Sequence, residues 1–294
     1  MVMKQHHLNP KDWILGQGTI YPDTIETGGT IYADKIKTHH NRVKEVLKLM
    51  NLGSLVEPLV ELYKDEVRQV CKKLGLPPTL LNRHPFPGPS LTIRTLCSNG
   101  KDQVRNSNVI NRKLQKIVGK NLKAIALPIK SVGVQGDNRT YRHPALIMGE
   151  TKWRTLHDLS IRITNEVFDI NRVVYLVAPE KINLLKLKTK RGYLTRPRLA
   201  ILRQADEIVT QAAKRYKIYD EVWQFPVILA PLTLTGGETI ILRPVESKEA
   251  MTVNFYRMSS RVLTDIAYKI LNIPGVDLVL YDVTNKPPAT IEWE

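Results

Sequence analysis

Residues 168–177 read FDINRVVYLV, and residues 274–283 read PGVDLVLYDV. Laid over each other, the two runs share their apolar positions one by one: Ile170 with Val276, Val173 with Val279, Val174 with Leu280, Tyr175 with Tyr281. Short runs rich in β-branched and aromatic residues read as buried strands. An amphipathic pattern precedes each run. Leu156, Leu159, Ile163 and Val167 mark one face of a helix near 153–168, and Leu263, Ile266 and Ile270 mark one near 260–271. Before each helix comes a strand, a charged turn and a second strand or extended segment: ALPIKSVGVQGDNRTYRHPALI at 126–147 and TIILRPVESKEAMTVNFYRM at 239–258. The chain thus carries an internal repeat of two α+β units. Such pseudo-symmetric platforms commonly self-associate.

Between the units lies KINLLKLKTKRGYLTRPR (Lys181–Arg198), with seven Lys or Arg and no acid, which reads as a linker or exposed arm. A helix is expected over 198–216. Gly236-Gly237, set between two alternating β-rich runs, signals a two-residue hairpin turn. Upstream of the repeat, DWILGQGTIYPDTIE (12–26) is an apolar stretch that runs into a polar loop. In open α/β sheets, ligands bind at such strand ends. VKEVLKLMN (43–51) has helical spacing, and the next segment reads as a short strand and a helix. Val67, Val70, Cys71 and Leu74 fall on one face of that helix, which Gly75 and Pro77-Pro78 stop. The connector NRHPFPGPSLTIR, rich in proline, ends the first domain just beyond Arg94.

The 294 residues carry 44 Lys+Arg against 28 Asp+Glu, a net charge of +16, a balance that suits phosphate-bearing partners. Two cysteines, Cys71 and Cys97, exclude a disulfide framework and a Cys-rich zinc site. The apolar runs are too short to span a bilayer, and residues 1–13 hold no apolar signal core, so a cytoplasmic protein is expected. TGGT (27–30) lacks the residues that complete a phosphate loop and reads as a turn. His39 and His40 are adjacent and would point apart on any regular element; no metal site is expected. VGVQGDNR (132–139) exposes Gln135 and Asp137 at a turn, and KPPATIEWE (286–294) holds a Lys and two Glu beside prolines. Either can be plain turn chemistry or a binding site.

Six stretches, in this order, resemble the C-terminal part of GMP synthetase, the glutamine-hydrolysing amidotransferase of purine synthesis. They are LGQGTIYPDTIE, IKTHHN, LVEPLVELYKDEVR, LGLPPTLLNRHPFPGPSLTIR, VGVQGD and KPPATIEWE. The resemblance runs from about Ile14 to Glu294 and is weakest in 96–123 and 178–198. It implies a mixed α/β and α+β fold. A partial Rossmann-like ATP pyrophosphatase segment (1–95) is followed by a first dimerisation lobe (96–178), a basic linker and helix (179–234), and a second lobe with an XMP-binding tail (235–294). It also implies ATP-dependent amination of XMP to GMP. ATP and Mg²⁺ adenylate the 2-oxygen of XMP, and ammonia then displaces AMP. By the same resemblance Lys37 serves the reacting phosphates, with His39 and His40 as supporting residues of a mobile lid. Asp137, Gln224, Lys286, Thr290 and Glu292 hold XMP, the lysine at its phosphate and the glutamate at its base. Gln17, Gly18, Thr19 and Asp23 form the loop beside the nucleotide, and the role of Arg83 and His84 stays open.

The family's Ser-Gly-Gly-Val-Asp-Ser phosphate loop and its glutaminase domain have no counterpart in these residues. The chain alone is therefore expected to be inactive. The expected partners are XMP, a second copy in a homodimer, and separate chains that supply the phosphate loop and ammonia. No membrane or nucleic acid is expected. Two alternatives stay open: a non-catalytic dimerisation or nucleotide-sensing remnant, and a nucleic-acid-binding module suggested by the charge. Against the second stands the lack of a Gly-rich RNA loop or an aromatic stripe.

Overall fold

A computed structural model describes residues 9, 12–25, 44–77, 81, 90–135, 138–247 and 252–294. Two compact units divide at Arg83/His84. In the first, β1 (Leu15–Gly16), α1 (Tyr21–Ile25), α2 (Lys44–Asn51), β2 (Leu55–Val56) and α3 (Lys64–Lys73) follow one another. β1 and β2 pair in parallel, Leu15 opposite Leu55. A parallel pair needs a crossover, and α2 lies in it. The N-terminus of α3 is closed by the Tyr63 amide donating to the Glu66 carboxylate at 2.7 Å. Its apolar face is shallow: Val67, Val70 and Cys71 are half-buried and Leu74 is 74% exposed.

The second unit contains, in chain order, α4 (Ser90–Ile93), β3 (Ser98–Asn99), α5 (Ser107–Val118), β4 (Lys123–Ala126), β5 (Ser131–Gln135), β6 (Asn138–Met148), α6 (Trp153–Glu166) and β7 (Ile170–Ala178). Then come β8 (Lys188–Thr189), β9 (Arg191–Gly192), α7 (Arg196–Arg215), β10 (Val227–Ala230), β11 (Leu232–Thr233), β12 (Glu238–Leu242), β13 (Val245–Glu246), β14 (Asn254–Phe255), α8 (Ser260–Leu271) and β15 (Val276–Asp282). One seven-stranded sheet runs β10-β12-β15-β7-β6-β4, with β5 added to β6. The repeat is visible in this order. β6 and β7 pair in parallel across α6, β12 and β15 pair in parallel across α8, and the two halves join through the antiparallel pair β7/β15. Tyr175 lies opposite Tyr281, with Val174 opposite Asp282 and Leu176 opposite Leu280. The sequence alignment equates Tyr175 with Tyr281, so this register sets the pseudo-twofold axis on that pair. The equivalence of the preceding strands differs from the expected one. Ile147 faces Tyr175 and Leu242 faces Tyr281, so 144–148 matches 239–243, and the hairpin of each half is inserted at a different place.

Helices α5 to α8 cover one face of the sheet, where Leu156, Ile163, Ile266 and Ile270 pack on Val173, Val279 and Tyr281. The opposite face, with Leu146, Val174, Leu176, Leu278 and Leu280, is covered by loop residues and by Trp293 near the C-terminus. The basic stretch is one of those covers and not an arm. β8 pairs with β11, β9 pairs with β3, and Lys190 and Arg198 both bind the buried Glu238 at 3.0 Å. Its acidic partner lies forty residues downstream, beyond the reach of local patterning. The Gly236-Gly237 turn also departs from expectation. The loop from β10 to β12 exceeds two residues and folds around the Asp277 carboxylate, which accepts from the Thr233 and Thr235 hydroxyls and the Leu234, Thr235 and Gly237 amides. A Cβ on Gly237 would lie 2.5 Å from Asp277 Oδ1, so a close approach requires this glycine.

Candidate functional site

After β15 the chain turns into residues 283–294, which lie along the free edge of β5. Val134 donates its amide to the Pro288 carbonyl at 2.7 Å, Val132 to that of Trp293 at 3.0 Å, and Gly133 bridges to Ala289. On the other side Lys286 and Val253 exchange both backbone bonds, at 2.8 and 3.1 Å. The terminal segment therefore does not fray; it has strand-like partners on both sides. Gly133 permits this, because a Cβ there would lie 2.8 Å from the Pro288 oxygen and 2.9 Å from Thr140 Oγ1.

Beneath the segment are three charged side chains with no exposure at all: Arg172, Arg243 and Asp282. Asp282 Oδ2 accepts from Arg172 at 2.7 Å, from Arg243 at 2.9 Å and from the Trp293 indole at 3.0 Å, while Oδ1 accepts from the Thr284 amide at 3.0 Å. Arg172 also donates to the hydroxyls of Ser131 and Thr290, each at 3.2 Å, and the other guanidinium bonds go to backbone. Arg172 reaches the carbonyls of Val132 (2.9 Å), Glu292 (3.0 Å) and Thr290 (3.2 Å). Arg243 reaches those of Thr290 (2.8 Å), Ile291 (3.0 Å) and Thr284 (3.1 Å). The Arg172 guanidinium also lies 4.6 Å over the Trp293 ring. Burial pushes the Asp282 carboxyl up, but Arg243 and Arg172 more than reverse this and hold it below its ordinary value. Burial lowers Arg172 to about 10, against the pull of Asp282, and lowers Arg243 in the same direction. One anion shared by two cations accounts for both signs: the acid gains from two partners and each base from one.

Of the residues expected at an XMP site, Thr290 and Glu292 lie on this clamped segment. The Thr290 hydroxyl lies 2.9 Å from the Val132 carbonyl and 2.6 Å from that of Glu292, and the Glu292 carboxylate is within electrostatic reach of both arginines. Lys286 opens the segment. Gln224 is buried at 4% exposure and bridges to Val245, which packs with Val253 and Ile291 in one small cluster. Gln224 and the segment thus share a foundation. Beside it opens a cleft of about 710 Å³ whose walls include Val134, Gln135, Arg142, Thr164, Phe168 and Pro288. Arg142 stacks 3.8 Å over Phe168 and donates to the Gln135 amide oxygen, while Gln135 donates to the Thr164 carbonyl at 3.3 Å. The VGVQGD and KPPATIEWE motifs, 150 residues apart in the chain, therefore line one cleft. Asp137, and Lys37, His39 and His40, which the resemblance expects in a lid, lie outside the described residues.

In the first unit the expected loop leaves β1. The Gln17 amide donates to the Val56 carbonyl at 2.9 Å, the fully buried Thr19 gives its hydroxyl to the Glu57 carboxylate, and Asp23 accepts from the Ile20 amide at 3.0 Å. Gly18 is exposed, with nothing near its would-be Cβ. Gln17 Oε1 is buried with no hydrogen-bond partner among the described residues. Also among these residues, no group of three His, Cys, Asp or Glu converges on a possible metal position, and no helix is long and apolar enough to cross a membrane.

The family model described as GMP synthase C terminal domain matches residues 107–182 and 211–293, more than half of the chain. The chain belongs to this family. Its two matched blocks enclose both halves of the sheet and the clamped segment. A protein of Leptospira interrogans named probable GMP synthase (glutamine-hydrolyzing) is 43% identical over 99% of this chain and 48% of its own length. The GMP synthase (glutamine-hydrolyzing) of Dictyostelium discoideum is 32% identical over 99% of this chain and 48% of its own. That of Aquifex aeolicus is 31% identical over 95% of this chain and 37% of its own. The chain spans about half the length, or less, of these curated relatives. Both stretches that line the cleft, 132–135 and 287–288, fall within the matched blocks. Arg172, Arg243, Asp282 and Gly133 were not singled out from sequence. A signal for two of them was present: in the aligned repeat, Arg172 falls opposite Leu278 and Asp282 opposite Leu176.

Proposed function

We propose that this chain is the XMP-binding part of a GMP synthase and takes part in ATP-dependent amination of XMP to GMP through an adenyl-XMP intermediate. The observation that carries this is the clamped terminal segment, which holds Lys286, Thr290 and Glu292 in fixed register beside Gln224 and the strand that leads to Asp137. On this reading Lys286 meets the XMP phosphate and Glu292 the base, with Asp137, Gln224 and Thr290 completing the hold. Lys37, with His39 and His40, covers the reacting phosphates, and Gln17, Gly18, Thr19 and Asp23 border the nucleotide. Mg²⁺ arrives on the phosphates of ATP, as is usual for an ion that keeps few protein ligands. The phosphate-loop and glutaminase parts act together with this chain, on the same or another polypeptide, and the working form is a homodimer.

Calorimetry with XMP tests the site. The chain is expected to bind XMP, and Lys286→Ala is expected to weaken binding by roughly tenfold or more, as for loss of a charge-assisted contact. Mixing the chain with a polypeptide that carries the phosphate loop, together with XMP, ATP, Mg²⁺ and ammonia, should release GMP and AMP in equal amounts. XMP bound tightly with no turnover in that mixture would favour a nucleotide-sensing remnant instead. A chain that neither binds XMP nor supports turnover would overturn the proposal.

A further inference from the structure

The internal repeat supplies its own control for the buried charges. Tyr175 and Tyr281 sit on the pseudo-twofold axis, so Arg172 is the counterpart of Leu278 and Asp282 that of Leu176. The parallel registers equate Arg243 with Met148 in the same way. At one end of the sheet, on one side of that axis, these three positions are filled by Leu278 of β15, Leu176 of β7 and Met148 of β6, apolar side chains buried in the core that covers that face. At the other end, across the axis, the same positions carry two cations and one anion with no exposure: Arg172 from the first half, Arg243 and Asp282 from the second. The sheet geometry therefore does not require charge there. Burying such groups is costly, and apolar side chains of similar volume often replace them with no loss of stability. The lowering of both arginines by burial points the same way.

What the charged end of the sheet has is the terminal segment. Apart from the contacts to Asp282, the guanidinium bonds described above go largely to carbonyls of Thr284, Thr290, Ile291 and Glu292. The two arginines also leave one positive charge in excess over Asp282, and the Glu292 carboxylate lies within reach of both. We propose that Arg172, Arg243 and Asp282 are positioning residues that break the symmetry of the repeat in order to fix the terminal segment, and so present Thr290 and Glu292 to XMP. This rests on the XMP reading above. It assigns the three no contact with substrate.

The test borrows the residues of the apolar end of the sheet: the triple variant Arg172→Leu, Arg243→Met, Asp282→Leu. It is expected to keep its circular dichroism and a cooperative melt. Amides of 289–294 should exchange with deuterium much faster, and XMP affinity should fall by roughly ten- to a hundredfold, as when charge-assisted contacts are misplaced. Arg243→Lys keeps the charge but loses the fork that reaches Thr290 and Ile291, so it should weaken XMP binding while leaving the melt in place. A triple variant that fails to fold overturns the proposal, because the charges would then serve the sheet. So does a folded triple variant, or Arg243→Lys, that holds the segment and binds XMP as the parent does. Failure of the parent chain itself to bind XMP would count against the XMP reading, whatever the variants show.

Discussion

Gly133→Ala is the sharpest test of how the terminal segment is held. A Cβ at this position would meet the Pro288 carbonyl at 2.8 Å, Thr140 Oγ1 at 2.9 Å and Asn171 Nδ2 at 3.0 Å. Two of these are side-chain atoms that could rotate, although Asn171 already donates to the Ser131 carbonyl at 2.7 Å and accepts from the Ser131 hydroxyl at 3.1 Å. The third is backbone, and it is the acceptor of the 2.7 Å bond from Val134. The methyl group can be accommodated only if the segment moves away from β5. Overpacking of this kind costs about 1–3 kcal/mol, and the stretched backbone bond adds about 1 kcal/mol. A total of roughly 2–4 kcal/mol lowers the melting temperature of a unit this size by about 5–15 °C. Gly133 has no positive φ, so the loss reports the clash and not backbone strain. Differential scanning calorimetry gives the shift, and deuterium exchange locates it. Amides of 132–134 and 289–294 should lose protection, and α7 should not. An unchanged melt with full protection at Val134 would refute the close packing of segment on strand.

Further outcomes follow from the same geometry. Asp282→Asn leaves two buried guanidiniums without an anion and should cost about 3–5 kcal/mol, read from denaturant midpoints. Asp282 is held below its ordinary value, so the stability it contributes is present above about pH 4 and is lost as pH falls through the lower folded value. Acid titration of Trp fluorescence should therefore show release of Trp293 below the ordinary aspartate range. Asp277→Ala removes the acceptor at the centre of the Thr233–Gly237 loop, and faster exchange of the Leu234, Thr235 and Gly237 amides is expected, with β7 unaffected. Removing Thr290–Glu294 should weaken XMP binding and also expose Leu278 and Leu280, which share a core with Trp293. Increased binding of a hydrophobic dye would report that exposure.

Much of the helix-and-strand pattern could be read locally, because it rests on periodicity. The face Leu156, Leu159, Ile163 and Val167 is buried as expected, and α8 spans Ser260–Leu271 as its spacing predicts. What could not be read depends on partners distant in sequence. The basic stretch 181–198 looks like an exposed arm until Glu238, in β12, is placed against Arg198. Gly236-Gly237 looks like a tight turn until Asp277, forty residues on, is placed inside it. A charge run or a glycine pair specifies a local possibility; a long-range acceptor decides between possibilities.

The same distinction separates the motif residues from those that hold them. Lys286, Thr290 and Glu292 are legible as a motif, and Gly133 lies within another, yet nothing in either motif reveals that Gly133 must be small so that Pro288 can approach. Arg172 is harder still, since a charge at the start of an apolar run is ordinary in an exposed strand end. Only the repeat exposes it as unusual. The counterpart position is leucine, and the strand register shows that the two positions are related by the same axis. Internal repeats thus carry information that a single motif lacks. Where a pseudo-twofold axis relates the two ends of one sheet, equivalent positions that differ mark what each end does beyond folding. Here those differences gather at one place, beneath residues 284–293, on the side of the sheet where the expected substrate-binding residues emerge.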